Sequence, residues 1–355
     1  GEMNTFNVKL IHCDAKWNPS PIESFEYMDG FEEDELTGGE SSFNTFHDYV
    51  HYQYEFPNEQ LKVTLAGNYL LVLYDGELDN LVLTRRIRVF KPMSIINGKT
   101  TRPGIPKYIY YNQAIHLELN IMNYTITDPH DNMTVVIEQN NRWDKVINNL
   151  KPSFISNETY TYIHQDGNHF SGGKEFRSLD IRNLNFKSER IKDIIIGNPN
   201  KIILKKDEFR SYINKMEWRD LNGQFSISTN GSSNKDTEAE YNEVYFSLTS
   251  AHNIEYPDGD IYIIGAFNNW EINPNYKLRY NVNKNIYERM LLLKQGIYNY
   301  YYTFLRKGEQ IGDTGFIEGD SKETENDYFI YLYAKPMGQS FDELIGYTII
   351  NSVKN

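Results

Sequence analysis

Short runs of alternating apolar and polar residues, separated by Asn, Gly and Pro, occur along the whole sequence. In the N-terminal part they lie at Phe6 to Cys13, Tyr49 to Phe56, Leu61 to Leu65, Tyr69 to Tyr74 and Leu81 to Val89. Alternation with a period of two indicates strands with one buried face, and regular short strands are typical of β-sandwiches. Aromatic residues make up 14% of the chain, which also favours pleated, half-buried surfaces. The sequence therefore predicts an all-β fold.

The chain is too long for one sandwich, because its 355 residues correspond to two or three domains of ordinary size. Proline and glycine cluster between Lys91 and Pro106, and residues 231–238 form a polar stretch. We expect tandem immunoglobulin-like β-sandwich domains at 1–92, 93–236 and 237–355, with short helices in the connections. The alternation has already begun at Asn4, so we expect the first domain to lack its N-terminal strand.

One segment of the second domain has helical spacing. Trp143, Val146, Ile147 and Leu150 lie at positions i, i+3, i+4 and i+7, ahead of Pro152. This pattern predicts a short helix near 143–150 with one apolar side.

In the last strand of the first domain, Arg85 lies in a row with Leu81, Leu83, Ile87 and Val89. A buried unpaired charge is costly, so this guanidinium is expected to find a carboxylate or carbonyl groups.

Charge and apolar length exclude several classes of partner. The net charge of −13 argues against nucleic acid and against an anionic membrane surface, since both require a basic footprint. No run approaches the roughly 18 apolar residues of a membrane-spanning helix, so direct membrane insertion is not expected. The single Cys13 forbids an intramolecular disulfide.

The motifs that could carry chemistry do not have the required spacing. His47 and His51 resemble a zinc-protease pattern, but their neighbours favour a strand, in which the two side chains would lie about 13 Å apart. His12 and Cys13 are adjacent on a strand and point to opposite faces. Residues 220–223 begin like a calcium loop but lack the later glutamate. We therefore predict no catalytic residues, no metal and no cofactor.

The stretch from Gly259 to Trp270 is a strand that is apolar on both faces and ends in a polar corner. It resembles the first strand of early-set immunoglobulin-like glycan-binding modules. That resemblance implies a sugar-stacking platform at Trp270, with Asn268 and Asn269 as amide donors. The family pattern also expects a second tryptophan, and this sequence has none after position 270. Glycan binding is thus the alternative function, and it requires an exposed Trp270.

A longer resemblance covers nearly the whole chain. It lies in the segments His12-Cys-Asp-Ala-Lys-Trp-Asn-Pro-Ser20, Ser42-Phe-Asn-Thr45, Gly67-Asn-Tyr-Leu70, Leu83-Thr-Arg-Arg86, Gln139-Asn-Asn-Arg-Trp-Asp144, Glu175-Phe-Arg177, Asp180-Ile-Arg182, Leu293-Lys-Gln-Gly-Ile-Tyr-Asn-Tyr300 and Glu323-Thr-Glu-Asn326. Together these segments resemble the plug-protein family of the bacterial type IX secretion system.

The resemblance implies a non-enzymatic periplasmic protein whose partner is the outer-membrane translocon β-barrel. Members of the family occupy the periplasmic opening of that barrel when no substrate is in transit. Such members carry a signal peptide and a leading strand before the segment that corresponds to His12–Asp14. We expect a monomer when free and a polar, reversible interface with Arg142 and Trp143 as anchors, since Arg and Trp often dominate interface energies. A hydrolase would instead need paired, perturbed carboxylates in a cleft.

Overall fold

A computed structural model describes residues 3–122, 124–163, 166–213, 220–251 and 253–353. These residues form many short strands and a few helices of three or four residues, which confirms the all-β class. No helix among them has the length and apolar character that spanning a membrane requires.

The first body extends to Phe90. Its elements are β1 Phe6–Cys13, α1 Ser24–Tyr27, β2 Met28–Gly30, β3 Glu33–Leu36, β4 Glu40–Ser41, β5 Val50–His51, β6 Leu61–Val63, β7 Gly67–Tyr74 and β8 Leu81–Val89. The main sheet has the order β3-β1-β7-β8, and β2-β6 and β4-β5 form two small sheets. The alternation predicted for β1 buries Val8 and Leu10, which pack with Leu61 and Tyr69.

The second body begins with β9 Ser94–Thr101, a 3-10 turn at Pro106–Tyr108, β10 Asn112–Ile121, α2 Pro129–Asn132, β11 Met133–Gln139, β12 Val146–Ile147, β13 Phe154–Ser156, β14 Thr159–Tyr162 and β15 His169–Ser171. Strands β13-β14-β10-β15 form one sheet, with β9 also paired to β10.

The third body follows with β16 Arg177–Asp180, β17 Ile191–Ile195, β18 Asn200–Leu204, β19 Phe225–Ile227, α3 Lys235–Glu238, β20 Tyr241–Thr249, β21 Gly259–Ile264, 3-10 turns at Ala266–Asn268 and Pro274–Tyr276, β22 Arg279–Asn281, β23 Ile286–Lys294, β24 Gly296–Arg306 and α4 Gly315–Glu318. One sheet has the order β17-β18-β20-β23-β22. The facing layer is built on β24, which pairs with β16, β19 and β21.

The chain then returns to the second body through β25 Asp327–Ala334 and β26 Glu343–Asn351. Strand β25 pairs with β11 from Met133↔Ala334 to Gln139↔Tyr328, giving the sheet β12-β11-β25-β26. This sheet packs on the β10 sheet through a core that includes Ile115 and Leu332.

The expected boundaries at 93–236 and 237–355 therefore differ from the structure. The second body takes its strands from two distant segments, and the third body is inserted between them. Sequence periodicity identified the strands, but it carries no information on which of them pair across a long insertion.

The helix predicted near 143–150 is wrong. Val146 and Ile147 form the short edge strand β12, in which they pair with Glu138 and Ile137. Hydrogen bonding to a strand already present in the sheet satisfies this backbone better than one isolated helical turn would.

Candidate functional site

Four of the residues singled out from the sequence lie where the three bodies join: Arg142, Trp143, Asn269 and Trp270. We use the term three-body junction for Trp17, Arg86 and Arg88 of the first body, Glu138, Arg142 and Trp143 of the second, and Asn269 and Trp270 of the third.

The contact between the first and second bodies is centred on Arg88. Its guanidinium lies 2.5 Å from Oε1 of Glu138 and 3.9 Å from the ring centroid of Tyr331, and it donates to the Tyr331 hydroxyl at 3.0 Å. Burial raises the pKa of Glu138, and the positive charge of Arg88 acts against this rise. Because Arg88 and Glu138 belong to different bodies, the ion pair forms only while the two bodies are in contact, and removal of either side chain would leave the other charge buried and unpaired.

Apolar packing surrounds this ion pair. Ala15 of the first body packs with Val136, Tyr333 and Leu344 on the outer face of the β11 sheet. The Tyr333 hydroxyl donates to Asn68 Oδ1 at 2.7 Å. The first body is thus fixed to the second by buried packing and directed hydrogen bonds together.

The contact between the second and third bodies is centred on Trp270. Its ring is stacked by the Arg142 guanidinium at 4.2 Å and packs against Phe176 and Tyr301. Asp144 holds Arg142 by two hydrogen bonds of 2.9 and 2.6 Å. Gly223 has a positive φ of 83°, and a Cβ at this position would collide with the Trp270 ring. This glycine therefore lets the indole lie directly against the turn.

Trp143 connects all three bodies. Its indole Nε1 donates to the backbone carbonyl of Asn269 in the third body. Arg86 of the first body lies over the Trp143 ring at 5.6 Å and over the Trp17 ring at 4.9 Å. Cation–π contacts of this kind, with one directed hydrogen bond, fix the orientation of the indole.

The first and third bodies also contact each other directly. Glu240 accepts hydrogen bonds from the backbone N–H of Phe46 at 2.5 Å and of His47 at 3.2 Å. The Tyr49 hydroxyl donates to the carbonyl of Ala239 at 3.0 Å, and the Lys294 ammonium lies 4.0 Å from the Tyr49 ring centroid. The segment around β4 and β5 is thus an arm that joins the first body to the third.

The structure corrects the glycan platform expected from the sequence. Trp270 is 4% exposed and covered by Arg142, so no sugar can stack on it. Asn268 is also buried, where it accepts from Gly265 N–H and donates to the Ile263 carbonyl, so its amide shapes the turn. Asn269 is exposed and its amide donates to Glu271 Oε1 at 3.2 Å, but no accessible ring lies at Trp270 to complete a sugar platform.

The anchors expected for a partner have different environments. Arg142 is 3% exposed and engaged within the chain, which differs from the expected partner contact. Trp143 is 39% exposed and keeps one accessible side. A role for Trp143 in a partner interface stays a prediction.

Sequence reasoning missed Trp17, Arg86, Arg88 and Glu138 as junction residues. The signal was the arginine-rich strand β8, but the expected ion pair was assigned to Arg85. That residue is exposed and donates to the carbonyl of Thr84. Arg88, on the opposite face of β8, makes the buried pair, because this face of the strand lies against the second body.

The candidate chemical motifs bring no reactive groups together. Within the described ranges, no group of three or more His, Cys, Asp or Glu side chains could hold a metal ion. Burial raises the pKa of the Cys13 thiol to about 11, so the thiol stays protonated at neutral pH. His12 Nδ1 lies 2.9 Å from Ser20 Oγ. His12 and Cys13 are thus packed residues at the end of β1.

Comparison with known proteins adds two findings. The chain is similar over its full length to the crystal structure of a hypothetical protein from Parabacteroides merdae, with a TM-score of 0.93 and 29% identity. The similarity covers 99% of this chain and 88% of that one. A comparison with curated proteins found no match.

The family comparison concerns the first body. Residues 1–91 match the model described as "Type 9 secretion system plug protein 1st domain". The match ends one residue before the boundary that Pro92 indicated in the sequence. It covers β1 to β8, including the arginine-rich strand that forms the junction. The first body is therefore similar to the first domain of type 9 secretion system plug proteins, the family that the sequence resembles.

Proposed function

We propose that this protein is a non-enzymatic periplasmic plug. In this role it closes the periplasmic opening of the outer-membrane translocon barrel of type 9 secretion while no substrate is in transit. The observation that carries the proposal is the family match of the complete first body. The other two bodies would give that domain the size and stiffness that a seal requires.

The three-body junction supports a rigid seal. A protein that blocks a wide opening has to resist deformation, and independent domains on flexible linkers would not. Here each body contacts the other two, through Arg88 with Glu138, Trp143 with Asn269, and Glu240 with the arm. These contacts combine buried charge, ring stacking and backbone hydrogen bonds. A push on one body would therefore be transmitted to the others.

The charge of the chain supports a reversible interface. A plug has to leave the barrel when a substrate arrives, and large apolar interfaces tend to be permanent. The sequence has 49 acidic and 36 basic residues. We expect the contact with the barrel to consist mainly of polar and charged residues, and to weaken as salt concentration rises.

The test is the permeability of the outer membrane. Cells that lack this protein should admit vancomycin, a large antibiotic, through the open barrel, while secretion of type 9 substrates continues. Reintroducing the wild-type gene should restore resistance. A strain that lacks both this protein and the translocon should be as resistant as wild type, because the leak requires the barrel.

Copurification provides the second measurement. The protein should copurify with a tagged translocon barrel, and the recovered fraction should fall with salt. Unchanged vancomycin sensitivity in the deletion strain, with the barrel shown to be in the membrane, would refute the proposal. A leak that persists in the strain without the translocon would refute it as well.

A further inference from the structure

The outer face of the β17-β18-β20-β23-β22 sheet carries a groove of about 1330 Å³. We call it the basic groove. It lies on the third body and is separate from the three-body junction.

The floor of the basic groove is apolar and aromatic. Ile203 of β18 lies beside Tyr245 of β20, which in turn lies opposite Met290 of β23. Met290 is 41% exposed, and Val282, which is 72% exposed, lies at the β22 end of the groove. Side chains three strands wide thus form a shallow surface on which an extended chain could lie.

Cations border this floor on both sides. The side nearest β17 and β18 has Lys192, Lys201, Lys205 and Lys206. The side nearest β22 and β23 has Arg279 and Lys284. Among the described residues, the acidic lining is Glu288, which is already held by Lys284 at 2.7 Å and by Asn281 at 2.8 Å.

The basic groove has a positive charge, whereas the rest of the chain has a net negative charge. The sequence has 36 basic and 49 acidic residues, so after removal of the six basic residues and one acidic residue that border the groove, 30 basic and 48 acidic residues are left. A cluster of like charges raises local self-repulsion, which an opposite charge would relieve. Near the groove, Glu243 lies 4.0 Å from Lys201 and accepts a hydrogen bond from Tyr245 at 2.6 Å.

We propose that the basic groove binds an extended acidic segment of another polypeptide. Its carboxylates would pair with the cations on either side, and its apolar or aromatic side chains would lie on Ile203, Tyr245 and Met290. Carboxylates pair well with arginine and lysine, and a strand-like peptide fits a floor built from parallel rows of side chains. This inference goes beyond the proposed function and does not depend on it.

An extended acidic peptide fits better than the other polyanions. A membrane surface is flat and would contact the borders of the groove without reaching the floor. Duplex nucleic acid carries a dense charge that the remainder of this acidic chain would repel. A short peptide would contact the cations of the groove without extending to the carboxylates on the surrounding surface.

Fluorescence anisotropy with a labelled peptide of alternating Glu and Tyr tests the proposal on the full chain. A peptide of alternating Gln and Tyr is the uncharged control. The groove variant combines Lys201→Glu, Lys205→Glu and Arg279→Glu. The matched control combines Lys16→Glu, Lys62→Glu and Lys307→Glu, which are exposed residues away from the groove. The two variants have the same net charge, and thermal unfolding establishes that both are folded.

We expect saturable binding of the Glu–Tyr peptide that weakens with salt, and no binding of the Gln–Tyr peptide. The groove variant should lose at least about tenfold in affinity, and the control variant should stay within about twofold. Equal losses in the two variants would overturn the proposal, as would absence of binding to wild type. It would also be overturned if anionic vesicles or duplex DNA bound through the groove while the peptide did not. Self-association that the groove variant abolishes would assign the groove to a second copy of the chain instead.

Discussion

At the scale of single residues, a buried ion cluster organises the third body. Glu318 accepts hydrogen bonds from Arg177 at 3.0 Å and from the Tyr302 N–H at 2.9 Å, and Arg210 also contacts it. Asp207 accepts from Arg177 and from the Tyr302 hydroxyl. Burial alone would raise the pKa of Glu318, but the two guanidinium groups hold it below its usual value. The carboxylate is therefore ionised in the folded protein.

The substitution Glu318→Gln should lower the free energy of unfolding by about 3–5 kcal/mol, because it leaves two buried guanidinium groups with insufficient negative charge. Urea denaturation monitored by tryptophan fluorescence measures the change. The control is Glu309→Gln in the same body, since Glu309 is exposed and lies 3.9 Å from Arg306. Glu309→Gln should change the free energy of unfolding by less than about 0.5 kcal/mol. Equal effects of the two substitutions would contradict the role assigned to Glu318.

Glu175 should make the protein less stable as pH rises, because its pKa is raised in the folded state. Burial, with the charges of Asp220 and Glu325, raises the pKa of Glu175 to about 7. The folded state then binds a proton that the unfolded state releases, so this group lowers stability as pH rises through the window from about 4.5 to 7.

The substitution Glu175→Gln removes the titration. The variant should match wild type near pH 4.5 and be more stable at pH 8 by roughly 1–2 kcal/mol, allowing for partial exposure of the group. Melting temperatures at the two pH values give the comparison. A variant whose advantage is the same at both pH values would show that Glu175 does not titrate in this window.

At the scale of elements, the sequence predicted the strands that have one buried face. It failed where packing between bodies determines the secondary structure and the partner of each residue. The alternation in β1 and β8 marked both strands. Residues 143–150 gave a helical pattern because four apolar positions in a short window fit more than one period. The structure uses them differently: Trp143 reaches another body, and Val146 and Ile147 extend a sheet. Arg142 and Trp143 were found from residue type, but their neighbours Arg86 and Asn269 lie far away in the sequence.

Trp143→Ala should loosen the junction without unfolding any one body. It removes a hydrogen bond to Asn269 and the stacking of Arg86, together worth about 2 kcal/mol. Limited proteolysis should become faster at the connections between the bodies. Trp143→Phe should give an intermediate rate because it keeps a ring beneath Arg86.

The control for this change is Phe186→Ala, since Phe186 is 74% exposed and its truncation should leave the proteolysis rate unchanged. If Trp143→Ala is cleaved at the wild-type rate, the indole does not hold the bodies together.

At the scale of the whole molecule, the chain forms the second body from its middle and its C-terminal end. The sequence predicted three successive domains, because breaks in composition indicate loops. Such breaks do not show which strands pair with each other. Pro92 does mark the end of the first body, since the chain passes there between sheets. The polar stretch at 231–238 instead leads into β20 and lies within the third body.

This topology makes a prediction about truncation at residue 236, the boundary that the sequence indicated. A fragment of residues 1–236 lacks β25 and β26, so β11 loses its long pairing partner and the core around Ile115 loses Leu332. It also lacks β20, β23 and β24, on which both sheets of the third body depend. Residues 92–236 of the fragment should therefore be digested rapidly by trypsin, and circular dichroism should show much less strand than the full chain. A fragment truncated at residue 326, which keeps β16 to β24, should retain a protease-resistant third body while the second is degraded. Resistance of 92–236 in the shorter fragment would mean that its strands can form a sandwich without the C-terminal pair, and the interleaved topology would then be dispensable.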